Sequence, residues 1–198
     1  MFPIIKNINS YKKPYPFFSS KPNTKKEKLL EWVEWFEQSA PWSLVEADFY
    51  EQYEFSLLNI DLPSNIQHLT SKETLSELAL FVENEFNVKL SSDIHVVAHK
   101  LINGQTIRIH NDFLTENNRE THRILLQLNR GVESINGGLL MIFSENNPES
   151  LSEVIEPISG SVQGFEISKK SHHAVSTVHS GERYTVVYSF RELVINGN

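Results

Sequence analysis

The chain has 198 residues, a formal charge of −7, 39% hydrophobic and 22% charged residues, and no cysteine. That length supports one sizeable core, and a single domain spanning 1–198 is expected. The negative balance argues against a nucleic-acid or anionic-membrane surface. Without cysteine there is no disulfide and no thiolate-held zinc or iron–sulfur site, so any metal must be held by His, Asp, Glu or Asn.

In Met1 to Phe18, the polar residues Lys6, Asn7, Asn9 and Lys12 interrupt the apolar ones, so no signal-peptide core is present. Nor does the chain contain an apolar run of about 18 residues. A cytoplasmic protein that does not cross a membrane is expected.

Two helices come first. Thr24 and Glu27 form a capping-box pair ahead of Leu29, Leu30, Val33 and Phe36, and the run ends at Ser39-Ala40-Pro41. A second pair, Thr70 and Glu73, precedes Leu75, Leu78, Val82 and Phe86 at spacings of three and four. Between them Trp42 to Leu62 carries Phe49, Tyr50, Tyr53 and Phe55 and reads as a loop plus a strand ending at Pro63. These aromatics fill a core or build a substrate wall.

From Ile94 the pattern changes to short strands: Ile94 to Leu101, Thr106 to His110, Arg123 to Leu128, Leu139 to Phe143, Val154 to Pro157, Val162 to Ile167, Ala174 to Val178 and Tyr184 to Phe190. Asn103-Gly104, Asn136-Gly137-Gly138, Ser159-Gly160 and Ser180-Gly181 punctuate them. Asn117, Asn118, Asn146 and Asn147 fall in loops. Strands behind a helical front suggest a mainly β (α+β) jelly roll, barrel or double sheet, with the N-terminal helices packed on one sheet. The aromatic-rich front half would be 1–93 and the metal-binding core 94–191.

His110 and Asp112 lie two apart, His173 stands far downstream and Arg183 follows it by ten. Residues i and i+2 of a strand share a face, roughly 6.6 Å apart along the backbone, so the first two converge on one ion if the strand ends there. Two imidazoles and one carboxylate suit Fe(II) and leave coordination positions open. Alone, a His-x-Asp is commonly a solvated turn and a strand arginine commonly sits in a surface salt bridge. If Arg183 begins a strand, it shares a face with Thr185, Val187 and Ser189, opposite Tyr184, Val186, Tyr188 and Phe190. A buried arginine facing the metal would predict a dicarboxylate ligand, because guanidinium pairs with a carboxylate bidentately and keeps its charge.

The stretch Gly104-Gln105-Thr106-Ile107-Arg108-Ile109-His110-Asn111-Asp112, then Arg123 to Asn129, Gly137-Gly138-Leu139, His173-Ala174-Val175 and Gly181-Glu182-Arg183-Tyr184-Thr185 resembles the Fe(II)/2-oxoglutarate-dependent oxygenase superfamily, in its prolyl-4-hydroxylase-like branch. The likeness runs from about residue 95 to 190. It implies a double-stranded β-helix in which His110, Asp112 and His173 bind iron, and Arg183, helped by Thr185, binds the distal carboxylate of 2-oxoglutarate, with dioxygen as the other co-substrate. It also selects His173 over its neighbour His172, which is left outward or at the rim. Leu101 and Gln127 stand near places where that branch often has tyrosine, and Gln127 is a candidate donor to the co-substrate. The front half, with Ala40-Pro41-Trp42 and Phe49 to Phe55, is more loosely similar to the small oxygenases found with cyclophane-containing ribosomal peptides.

The resemblance implies hydroxylation of an amino-acid side chain in a peptide or protein, with Trp42 to Phe55 as an aromatic groove and Arg108, Arg119 and Arg123 as possible receivers of an acidic group. A free amino acid or small metabolite is the competing substrate class. A non-enzymatic cupin-like metal protein and a structural module stay open; neither requires Arg183 ten residues past the last ligand. His68, His95, His99, His122 and His179 have no partner at ligand spacing and read as surface or core residues.

Overall fold

The computed structural model describes residues 5–115, 119–131 and 136–193; Asn117 and Asn118 lie outside them. Helix α1 (Lys26–Gln38) buries Leu29, Trp32, Val33 and Phe36, the i, i+3, i+4, i+7 stripe of an amphipathic helix. Leu30 falls off that stripe and is exposed. The expected Thr24–Glu27 box does not form: the helix starts after Lys25 with no side-chain cap, so the apolar stripe rather than a cap sets it. In α2 (Lys72–Phe86) the cap moves one residue on from the expected Thr70, and the Ser71 side chain accepts the Thr74 N–H. Asn87 closes the helix in the left-handed conformation.

Strands make up the rest. The chain begins with β1 (Ile8–Tyr11) and β2 (Phe17–Ser20), a hairpin that composition alone did not reveal. The segment between the helices forms two strands, β3 (Ser43–Ala47) and β4 (Tyr50–Ser56), instead of one. The remaining strands are β5 (Leu90–Leu101), β6 (Ile107–His110), β7 (His122–Gln127), β8 (Leu140–Phe143), β9 (Leu151–Ile155), β10 (Val162–Glu166), β11 (His173–Val175) and β12 (Arg183–Glu192). All pairings are antiparallel, in the order β1-β2-β10-β7-β12-β5-β4-β6-β11-β8-β9, with β3 on β4. Between β4 and β6 the register narrows to Tyr50 opposite Ile107, beside a bond from the Arg108 N–H to Phe49 O at 2.8 Å. There the sheet curls, and β6, β11, β8 and β9 fold over the longer sheet as a jelly roll.

The central strand β12 shows how sequence alternation builds the two sides. Tyr184, Val186, Tyr188 and Phe190 join Trp32, Val33, Phe36, Leu78 and Val82 in one helix-side core. Arg183, Thr185, Val187 and Ser189 point the other way and line a cavity. Buried aromatic polar atoms are satisfied: Trp32 Nε1 donates to Asn65 O at 2.8 Å, and Tyr188 OH to Leu69 O at 3.0 Å. Asn129, the last residue of the Arg123–Asn129 motif, donates Nδ2 to Pro157 O and accepts the Tyr184 N–H at 2.8 Å, locking the end of β7 to the start of β12.

Candidate active site

The cavity between the two sheet layers has a volume of about 280 Å³ and is lined by residues of both. Val97, Leu125, Leu140, Val175 and Val187 form its apolar walls. At one end His110, the last residue of β6, is the cross-strand partner of His173, the first of β11. Their rings stand 4.2 Å apart between centroids. Asp112 lies beyond the strand, so its approach does not come from strand alternation. The backbone turns left-handed at Asp112 (φ 58) and brings the carboxylate back toward the imidazoles. Asn111 holds that turn: its Oδ1 accepts the Phe113 N–H at 3.1 Å, and its carbonyl accepts the Ser171 hydroxyl at 3.0 Å.

His110 Nε2 lies 3.3 Å from Asp112 Oδ1, and His173 Nε2 lies 3.2 Å from Asp112 Oδ2. Both Nδ1 atoms face backbone carbonyls, of Arg108 at 2.9 Å and Ser171 at 2.8 Å. A carbonyl only accepts, so each Nδ1 carries the proton and each Nε2 lone pair is free for the cluster. Phe49 stacks on His110 at 4.3 Å and Phe165 packs on His173 at 4.6 Å, fixing both rings. A divalent transition ion holds such donors at roughly 2.1 Å, which puts neighbouring donors about 3 Å apart, and this set fits one. Among the described residues it is the His/Asp/Glu cluster able to hold a metal ion.

Arg123 places Nη1 2.6 Å from Asp112 Oδ2 and donates Nη2 to Glu120 at 2.9 Å. Burial alone would raise the Asp112 carboxyl, but Arg123 and the two imidazoles outweigh it and hold it well below the usual carboxylate range. Arg123 is therefore committed internally. Arg119 lies over the Phe113 ring at 4.8 Å, and Arg108 is exposed.

Arg183 enters from the first position of β12 and is 6% exposed. Its Nη1 donates to Thr185 Oγ1 at 2.8 Å, Thr185 donates to Gln127 Oε1 at 3.0 Å, and Gln127 Nε2 donates to Gln163 at 2.9 Å. Gln127 thus joins Gln163 to Thr185 and stands behind Thr185, outside the residues that line the cavity. Arg183 Nε is buried without a partner, and no ion pair to Arg183 occurs among the described residues. Burial lowers its pKa to about 10, so the guanidinium stays charged at neutral pH. A buried cation without a counter-charge is costly unless an anion joins it. The Gly137-Gly138 motif serves this side chain: Gly138 has φ +67, and a Cβ there would lie 2.9 Å from Arg183 Cδ.

The expected aromatic groove is largely absent. β4 alternates, so Phe55 packs with Trp35, Phe36 and Trp42 in the helix-side core, while Phe49 and Tyr50 line the cavity beside Gln52 and Glu54. His99 lines it too. The sequence singled out neither Gln52 nor Glu54, and His99 read as a surface or core residue. The period-two pattern Tyr50-Glu51-Gln52-Tyr53-Glu54-Phe55 carried the signal, unreadable until one face of β4 is known to meet the cavity. His172 lines the outer groove with Phe113, Leu114 and Asn146.

Residues 94–191 match the model of the 2OG-Fe(II) oxygenase superfamily. Comparison with curated proteins gives no match. Among solved structures the chain is similar to a Pseudomonas putida prolyl-4-hydroxylase, with TM-score 0.72 and 17% identity over 89% of this chain and 92% of that one. It is similar to a Trichoplax adhaerens prolyl hydroxylase in complex with a hypoxia-inducible-factor peptide fragment, with TM-score 0.71 and 15% identity over 88% and 82%. It also resembles a viral collagen prolyl hydroxylase from Paramecium Bursaria Chlorella virus-1 in its 2OG complex, with TM-score 0.65 and 12% identity over 89% and 96%. No helix of the described residues is long and apolar enough to cross a membrane. With this match over 94–191, the jelly roll and a donor set that suits iron, the chain belongs to the 2OG-Fe(II) oxygenase superfamily and is a 2-oxoglutarate-dependent Fe(II) dioxygenase.

Proposed function

We propose that His110, Asp112 and His173 hold the Fe(II), that Arg183 with Thr185 receives the distal carboxylate of 2-oxoglutarate, and that the enzyme hydroxylates an amino-acid side chain in a peptide or protein. The observation that carries the co-substrate assignment is the buried, unpaired Arg183 guanidinium in the same cavity as the His-Asp-His cluster. When bound, iron and 2-oxoglutarate supply the activation of dioxygen and the oxidising power. The chain's own residues do the rest. Arg183 anchors one end of the dicarboxylate, and the Thr185–Gln127–Gln163 relay fixes the angle of the guanidinium. The apolar side chains Val97, Leu125, Leu140 and Val187 keep water from the reacting end.

The peptide reading draws support from the relatives that act on prolyl residues, one of them solved with a peptide fragment. A ribosomally made, modified peptide is the particular substrate that the front half brings forward. A free amino acid is the competing one.

The test is anaerobic addition of Fe(II) and then 2-oxoglutarate, followed by visible absorption. A weak charge-transfer band is expected in the wild type and strongly reduced in Arg183→Ala at the same 2-oxoglutarate concentration. An unchanged band in the variant removes Arg183 from the co-substrate site.

A further inference from the structure

Each charged side chain lining the cavity has a partner or an assigned one, with one exception. Asp112 and Glu120 share Arg123. Arg183 awaits the co-substrate carboxylate. With a divalent ion and a dicarboxylate cancelling, Asp112, Glu120 and Glu54 against Arg123 and Arg183 leave the loaded site with an excess negative charge, and Glu54 is the carboxylate with no arginine beside it.

Glu54 projects from β4 into the cavity with 28% of its side chain exposed. Among the described residues no lysine or arginine comes within ion-pair distance of it; its neighbour is His99 Nε2 at 3.7 Å. His99 is not a counter-charge, because burial, reinforced by Arg123 and Arg183, holds its pKa down to about 3 and keeps it neutral. Lys100, next in sequence, points to the opposite face and lies over Trp42 and Tyr53.

A second observation points to a ligand. Gln52, 2% exposed, lines the same cavity and donates Nε2 to Glu54 Oε2 at 2.9 Å. That bond fixes the orientation of its amide, and Gln52 Oε1 is left buried without a partner. A buried acceptor of this kind costs free energy unless a donor fills it. The patch shares its cavity with the metal cluster: Gln52 and Glu54 line the same space as His110, Asp112 and His173.

We infer that Glu54, backed by Gln52 and His99, receives a positively charged side chain of the substrate, a guanidinium or an ammonium. This rests on the proposed function and narrows it: the peptide or amino acid presents a basic residue to the cavity. Such a group supplies the missing cation and several N–H donors at once, whereas an acidic substrate would meet an uncompensated carboxylate.

The test is titration calorimetry under anaerobic conditions on iron-loaded protein, with and without 2-oxoglutarate. The probes are Nα-acetyl-arginine amide and Nα-acetyl-lysine amide, each against a neutral counterpart, Nα-acetyl-citrulline amide and Nα-acetyl-norleucine amide. At least one basic probe is expected to bind about tenfold more tightly than its counterpart, and Glu54→Gln is expected to erase the difference. Equal binding of basic and neutral probes by the wild type overturns the inference without any variant, and a preference that persists in Glu54→Gln overturns it too. The titrations also report 2-oxoglutarate binding. Loss of its dependence on Arg183, which would remove the co-substrate assignment, is therefore read separately from loss of the basic-probe preference.

Discussion

Asp112 and Gly138 show how single residues set the chemistry of this cavity. Asp112 accepts a left-handed backbone, a conformation that Asn and Asp tolerate better than most, and its carboxylate becomes a third donor beside two imidazoles. Gly138 does the complementary job by leaving out a side chain where the Arg183 stem passes. Replacing it with alanine would strain a positive φ and push the guanidinium stem. Gly138→Ala is therefore expected to destabilise the fold by about 1 kcal/mol and to weaken 2-oxoglutarate binding by about tenfold. Chemical denaturation and titration check the two effects, and wild-type affinity in the variant would show that the stem moves aside freely.

Strand β7 carries the clearest pH-dependent feature among the secondary-structure elements. His122 opens it, 2% exposed and packed against the Phe86 ring at 4.9 Å. Burial holds its pKa down to about 4, whereas an unfolded chain titrates histidine near ~6.5. Between these values the unfolded state binds a proton that the folded state does not, so stability falls as pH drops through the upper value and the loss ends near the lower one. The slope is up to about 1.4 kcal/mol per pH unit from this residue, and His99 acts in the same sense. Urea unfolding of His122→Gln between neutral and acidic pH should give a flatter profile than the wild type; an identical profile would mean that His122 is solvated before the chain unfolds.

For the whole molecule, the front half does more than cover one sheet. β2 pairs with β10 and β4 with β5, so strands from both ends of the chain share the ladder. Trp32, Val33 and Phe36 join the core beneath β12. We propose on these grounds that the chain unfolds as one unit. All three tryptophans, Trp32, Trp35 and Trp42, lie in the front half, while most of the strands lie downstream. Tryptophan fluorescence and far-ultraviolet dichroism thus report different parts, and their urea transitions are expected to coincide. Separate midpoints would divide the chain into two units. Trp32→Ala should shift both transitions together by about 3–5 kcal/mol.

Much of this was legible in the sequence because it depends on local pattern. The downstream strands follow from short apolar runs between glycine-containing turns, and the alternation in Arg183 to Phe190 already separates a polar-headed face from a fully apolar one. His110, Asp112, His173 and Arg183 stand out by type and order. Other features depend on distant partners. The β1–β2 hairpin is stabilised by β10, far along the chain, so its own residues carry little signal. The cap of α2 fell to Ser71 because two adjacent hydroxyl residues offer nearly equal caps and packing chooses the register. Gln127 bonds to Gln163 on β10 and to Thr185 on β12, a link between strands that lie far apart in the sequence. Glu54 and Gln52 gained meaning only when the sheet curled at β4 and brought one face of that strand opposite the histidines. Sequence by itself determined which residue types and which alternating faces were on offer, since these follow from bonds and neighbours along the chain. The tertiary structure decided which faces meet, because that depends on pairing between strands that the sequence keeps far apart.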